Sequence, residues 1–215
     1  VSEITPTPNT TVRREERASY DRAEIHRILD EALYCSIGFE DGGRPVVIPT
    51  LHARIEDNLY LHGSPATRLF RILKQGPPVC VSVTLMDGLV LARSAFNHSA
   101  NYRSVVLFGV TEPITDLAER RRILDAFTDK LVPDRRPHLR AMTDKEVRAT
   151  AVVRLPIDEA AAKIRSGPPL DDEADYELPI WAGVIPIVTS FGAPIPDPAQ
   201  HPDATEPEHL GFFRR

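Results

Sequence analysis

Few of the usual chemical signatures are present. Cysteine occurs twice in 215 residues, as Cys35 and Cys80, with no CxxC and no adjacent histidine, which predicts buried free thiols and no zinc site or other metal centre. No apolar run approaches the roughly 20 residues of a membrane span, so no membrane partner is expected. The opening VSEITPTPNTTVRREER has no apolar core of the kind a secretory signal carries, and a cytoplasmic location is the expectation. The formal net charge is −5, which argues against nucleic acid as a main partner, because binding a phosphate backbone rests on clustered Lys and Arg. HExxH, GxGxxG and a Ser-His-Asp order are all missing, so protease-type chemistry and a dedicated dinucleotide fold are not expected.

What is present is one stretch with a definite chemical reading, LYLHGSPATRLFRIL at 59–73. Leu59, Tyr60 and Leu61 read as a strand, and Ser64 with Pro65 reads as the cap and first residue of a helix. First-turn N–H groups lack intrahelical partners and the helix dipole adds partial positive charge, so this junction can receive an anion. Arg68 lies four residues beyond Ser64 and on the same face; Ser64, Thr67 and Arg68 could hold one phosphate. The same residues also suit an ordinary capped junction with a solvated arginine.

Around it the pattern is mainly β. Residues 1–18 are polar and Pro-containing and read as an N-terminal arm that orders against a partner. Asp21 and Glu24 suggest a capping box for an amphipathic helix with Ile25, Ile28, Leu29, Ala32 and Leu33 at helical spacing. Tyr34–Phe39, Val46–Arg54 and Leu59–His62 follow as a meander. Val79–Leu85 and Leu89–Ser94 read as a hairpin about Met86-Asp87-Gly88, and Tyr102–Ile114 as a strand with a bulge or bend at Gly109. Asp116 with Glu119 opens a second helix, Thr143 a short third, and Ala151–Ile157 is a strand. DEAAAKI at 158–164 has helical propensity between strand-like neighbours and stays open. Ile180–Val188 around Trp181 reads as the last strand, and a Pro-rich tail runs over 189–215, where Phe212-Phe213-Arg214-Arg215 could dock on a neighbouring subunit. One domain over 19–188 is expected, mainly β with short helices, as an antiparallel barrel with helices at its ends.

Three blocks carry a family resemblance: RPVVIPTLHARIEDNLYLHGSPATRLFRIL at 44–73, VTLMDGLVLARSAFNHSANYRSVVLFG at 83–109, and KIRSGPPLDDE with PIWAGVIPI within 163–187. Together they resemble the pyridoxamine 5′-phosphate oxidase-like, FMN-binding split-barrel superfamily, in the branch related to 5-nitroimidazole reductases. The resemblance implies a six-stranded antiparallel split barrel, a homodimer, and FMN in the interface clefts. It places Pro49, Thr50 and Leu51 along the isoalloxazine, with His52 at the end of that strand. His62, Gly63, Ser64, Thr67 and Arg68 surround the phosphate, where the family carries a Lys or Arg at the place of Arg68. Arg93, Ser94, Tyr102 and Arg103 face the cofactor or the partner subunit, and Lys163, Arg165 and Trp181 reach across the dimer to the flavin. Each also has a structural reading, Arg93 as a strand-pair partner and Trp181 as core.

The implied activity is FMN-dependent oxidoreduction of a small molecule, in the manner of a flavin reductase or nitroreductase, with NAD(P)H bound loosely in the flavin cleft. His62 and His98 are the candidate proton donors, or else hydrogen-bonded structural histidines. No counterpart of the C-terminal Arg-x-His motif of true pyridoxamine phosphate oxidases is found, which takes the vitamin B6 reaction out of the expectation. The alternatives are a flavin- or haem-binding split barrel without turnover, and a deazaflavin-dependent reductase.

Overall fold

The computed structural model describes residues 2–214, apart from the side chains of Phe212 and Arg214. In chain order the elements are β1 (Ala18–Ser19), α1 (Arg22–Glu31), β2 (Tyr34–Asp41), β3 (Arg44–Ile55), β4 (Asn58–Gly63), α2 (Arg68–Leu73), β5 (Pro78–Leu91), β6 (Ser99–Val110), β7 (Glu112–Pro113), α3 (Leu117–Leu131), α4 (Asp144–Ala149), β8 (Ala151–Pro156), β9 (Glu159–Arg165) and β10 (Gly183–Pro186). The strands form one sheet in the order β1-β9-β6-β5-β2-β3-β4-β8-β7, with β10 on β5, and every pairing is antiparallel. The sheet curls into the split barrel that the sequence blocks imply. Three of its ten strands are edge additions of two to four residues.

Alternation along the strands builds the interior. Cys35, Ile37 and Phe39 on β2, Val79, Val81 and Val83 on β5, Val105 and Leu107 on β6, and Ala160 and Ala162 on β9 all point inward and are buried. Helix α1 closes one end with Ile25, Ile28 and Leu29, each 0% exposed. Its Asp21 carboxylate accepts from Ala23 N at 2.9 Å, while Glu24 pairs with Arg27, so only half of the expected capping box forms. A second cluster lies outside the barrel, where Ile123, Leu124 and Phe127 of α3 and Val147 of α4 pack on Ala53, Tyr60 and Val152. Helix α4 has the complete box, Thr143 with Glu146.

Several expectations from the sequence change. The hairpin about Met86-Asp87-Gly88 is a single 14-residue strand, β5. Met86 pairs with Tyr102 and Gly88 with Asn101, so Asp87 is the extra residue of a β-bulge. Gly109, where a bulge was expected, keeps regular register opposite Val79; a Cβ there would lie 2.8 Å from Leu155 Cδ1, so its role is close packing. DEAAAKI becomes strand β9, because Ala160 and Ala162 fill the barrel interior against β6, and tertiary burial overrides local propensity. The last strand shrinks to Gly183–Pro186 and leaves Trp181 outside it.

The first residues pack on their own chain: Ile4 is buried in the barrel core, Ile4 N donates to Tyr20 O at 2.9 Å, and Thr7 Oγ1 donates to Glu159. In the tail, Phe213 meets Phe191 edge-on with centroids 4.8 Å apart, and His209 stacks on His138 at 4.6 Å. The rest of the expected docking motif, the side chains of Phe212 and Arg214 and all of Arg215, lies outside the described residues.

Gly63 shows how tightly β4 meets α2: a Cβ there would sit 2.5 Å from Phe70 Cε2, inside the buried ring. Gly63→Ala is therefore expected to destabilise the fold by about 1–3 kcal/mol through overpacking, read as a lower denaturant midpoint at unchanged slope. Gly192→Ala, with nothing within 4 Å, should leave the midpoint where it is.

Candidate functional site

The outward residues of the central strands form one continuous face. Across it Val47 pairs with Gly38, Pro49 with Ser36 and Leu51 with Tyr34; Ser36 continues to Ser82, Val106 and Ala161. Farther along, Thr84, Ser104 and Lys163 make one row, and Met86, Tyr102 and Arg165 the next. Small residues fill its middle and exposed apolar ones its borders: Tyr34 is 63% exposed, Val47 68% and Met86 43%. A solvent-facing β surface normally carries polar side chains at such positions, so this face has the composition of a covered one. A cleft of about 490 Å³ opens at its β2–β3 hairpin end, lined by Gly38, Val47, Cys80 and Phe108 among others. Tyr34, Val47 and Phe108 carry no chemical signature in the sequence, and Cys80, expected as a buried thiol, is only partly buried. For Val47 a signal was there in RPVVIPTL, where apolar residues occupy both parities of a strand.

The same alternation divides the residues expected at the flavin ring. Pro49 and Leu51 are on the outer face, whereas Thr50 pairs with inward-facing Cys35 and His52 is 1% exposed. Beside Pro49 and Leu51 the chain leaves β4 through Gly63 into an exposed turn. Thr67, not Ser64, is the N-cap of α2: its hydroxyl lies 3.4 Å from Phe70 N and donates to Ser64 O at 2.9 Å. Pro65 thus sits in the turn before the helix rather than at its first position. Ser64, Thr67 and Arg68 remain neighbours, all exposed, and Arg68 Nε donates to Asp41 Oδ2 at 2.5 Å. The guanidinium already holds an oxyanion, a carboxylate at the tip of the β2–β3 hairpin.

The remaining expected residues fall into three settings. Arg93 is tied to the fully buried Asp171 carboxylate and lies 4.7 Å over the Tyr176 ring, so it anchors the loop after β9. Ser94 caps a turn at residues 95–97, and its carbonyl accepts from His98 Nδ1 at 2.8 Å. Trp181, 69% exposed, covers Gly183. Tyr102 lies under the Lys163 ammonium at 5.8 Å, and Arg165, buried, donates to Asn101 Oδ1 and to the Gly167 and Pro168 carbonyls. Arg103 has its donors on Asp87 and Glu31, an occupation that makes it a strut of the β5 bulge.

Neither His52 nor His62 opens on this face. His62 lies edge-on to Phe127 with centroids 4.2 Å apart, its Nδ1 buried without an acceptor, and burial lowers its pKa. His52 lies within the barrel end, where Lys130 Nζ is 2.9 Å from Nε2 and 3.0 Å from Leu29 O. His52 Nε2 is itself 2.8 Å from Leu29 O, so the ring nitrogen and the ammonium converge on one carbonyl, and the neighbouring positive charge disfavours a protonated imidazole. Burial first, and the Lys130 charge second, bring the His52 pKa down to about 4; burial brings Lys130 down to about 8.

This arrangement has a measurable consequence. The unfolded chain protonates His52 near its ordinary 6.5 and the folded chain near 4, so between those values the unfolded state binds more protons. Stability is complete above the unfolded pKa and falls as pH drops through this window. The loss assigned to His52 is about 3 kcal/mol. Denaturation midpoints at pH 7 and pH 4 should therefore differ less in His52→Gln than in the parent protein.

Comparison with known proteins agrees with this architecture. The profile described as pyridoxamine 5′-phosphate oxidase matches residues 21–164. No curated protein matches the chain. Among solved structures, the flavocytochrome Anf3 from Azotobacter vinelandii is 45% identical over 98% of this chain and 99% of its own, with a TM-score of 0.92. The FAD and haem binding protein from Mycobacterium smegmatis is 37% identical over 92% of this chain and 97% of its own, at 0.87. A candidate 5-nitroimidazole antibiotic resistance protein from Bacteroides thetaiotaomicron is 27% identical over 68% of this chain and 86% of its own, at 0.59. With its antiparallel split barrel and a family match running from α1 into β9, the chain belongs to the pyridoxamine 5′-phosphate oxidase family, among its flavin-binding split-barrel proteins.

Proposed function

We propose that this chain is a flavin- and haem-carrying redox protein that works as a homodimer. The observation that carries the flavin half is the juxtaposition of an exposed apolar strand, Val47, Pro49 and Leu51, with a turn that offers two hydroxyls and a guanidinium at Ser64, Thr67 and Arg68. A flavin has the matching two-part chemistry, a planar apolar ring and an anionic phosphate. Binding exchanges the Asp41 carboxylate for phosphate oxygens at a guanidinium suited to either.

The haem half rests on the two relatives that match nearly the whole chain, one a flavocytochrome and one a FAD and haem binding protein. The second of them also favours FAD over the FMN implied by the wider superfamily. The flavin supplies two-electron transfer and the haem one-electron transfer when bound. This chain's contribution is to hold them on one face and keep water from it. A second copy laid on the small-residue face completes that shielding. NAD(P)H is the proposed electron donor and a small molecule the acceptor.

The test is the absorption spectrum of the purified protein, followed by mass analysis of what heat or acid releases. About one flavin per chain, released as FAD, supports the reading; release of FMN corrects the flavin alone, and a protein that neither carries nor takes up flavin removes the function. Arg68→Ala is expected to weaken flavin retention about tenfold to a hundredfold, the range for losing a charge-assisted bond. Equilibrium dialysis against free flavin reads this directly.

A further inference from the structure

A haem iron needs at least one protein donor, and among the described residues no group of three or more His, Cys, Asp and Glu could hold a bare metal ion. A haem brings its own equatorial nitrogens and leaves one or two axial positions to the chain. Histidine is the first donor type to consider, and there are seven.

Six of them are poorly disposed. His26 is drawn to Asp57 at 3.2 Å, with Nε2 buried. His52 Nε2 is taken by Leu29 O and Lys130, and its Nδ1 is buried. His62 is packed on Phe127 beneath α3. His138 and His209 stack on each other at the docked tail, and both ring nitrogens of His209 are buried. His201 sits in an exposed tail turn beside Asp203.

His98 differs in each respect. Its Nδ1 donates to Ser94 O at 2.8 Å, which fixes the tautomer and leaves the Nε2 lone pair free; Nε2 has no protein partner among the described residues. A ring held at one nitrogen by a backbone carbonyl and open at the other is the usual form of a metal-ligating histidine. The turn that holds it is itself locked, by Ser94 Oγ accepting from Asn97 N.

Its surroundings suit a large, flat, mostly apolar group with carboxylates. Ser99, next in sequence, pairs with Val90, which pairs with Val184, so His98 lies at one end of a three-strand row. At that end Phe96 is 94% exposed, and Trp181 lies over Gly183 opposite Leu91. The next row brings Ala100, Leu89 and Ile185 together, the last two about half exposed. Farther along the same face Lys163 and Arg165 stand opposite Ser104 and Tyr102, and neither has a carboxylate partner among the described residues.

We propose that His98 Nε2 is the axial ligand of the haem iron, with the haem seated on the apolar surface of Phe96, Leu89, Ile185 and Trp181 and its propionates towards Lys163. This rests on the haem half of the proposed function, and it assigns that group to a particular side chain and surface.

The full-length protein, titrated with hemin while its Soret band and flavin content are followed together, provides the test. Wild type should take up about one hemin per chain. His98→Ala with full flavin content should bind hemin at least tenfold more weakly, and His98→Met, which keeps a donor, should bind it with a displaced Soret band. His201→Ala should match wild type. Wild-type affinity and spectrum in His98→Ala, or in His98→Met should the alanine variant fail to fold, would overturn the assignment. A wild type that carries flavin yet takes up no hemin would overturn it too, along with the haem half of the function, while leaving the flavin site at Arg68 standing.

Discussion

The grip of Arg103 on Asp87 and Glu31 is the contact on which the rest of the architecture turns. It fixes the extra residue of the β5 bulge from the neighbouring strand and ties both to the C-terminal end of α1. Because the bulge is held, β5 runs on where a turn was expected. Its first half pairs with β2 and its second half with β10, while β6 follows it along nearly all its length. A hairpin at Met86-Asp87-Gly88 would have folded the second half back and removed the surface on which β10, Trp181 and the His98 turn are arranged. Partly buried and shared between two carboxylates, the guanidinium is compensated in full, as a strut at low dielectric requires.

Charge is then distributed by role. Arg54, Arg93, Arg103 and Arg154 are paired with carboxylates and hold loops and strands together. Arg68 is paired too, but half exposed and at the tip of a hairpin, where its partner can be exchanged. Lys163 and Arg165 have no carboxylate partner among the described residues, and Arg17 lies near enough to Arg165 to add to the positive field there. A cation kept without a counter-ion on an otherwise apolar surface raises the affinity of that surface for anions, because little solvent is left to screen it. Phosphate and carboxylate are the kinds of group that such cations favour.

The histidines show a similar separation. His52 is kept neutral beneath an ammonium and takes part in the end of the barrel, and His62 belongs to the packing between β4 and α3. Both neighbour residues that looked chemical in the sequence; strand alternation turns His52 inward, and α3 covers His62 on the outer side of β4. His98 is brought to that face by a turn, where backbone direction is set by local hydrogen bonds and not by alternation.

Reading the chain alone was enough for the strands of the β2–β3–β4 meander, for α1, α3 and α4 with their capping residues, and for the cluster of Ser64, Thr67 and Arg68, because each depends on interactions within a few residues. The three sequence blocks also carried the family and its split barrel. The fate of DEAAAKI, the continuity of β5 and the purpose of Gly109 depended on partners far along the chain: β6 for the first, Arg103 for the second, Leu155 for the third. Which of Pro49, Thr50, Leu51 and His52 face outward followed from register, and a shift of one residue would have reversed all four. Local propensity thus determined where elements begin. Pairing, burial and charge compensation between distant residues decided which of their side chains are free to act.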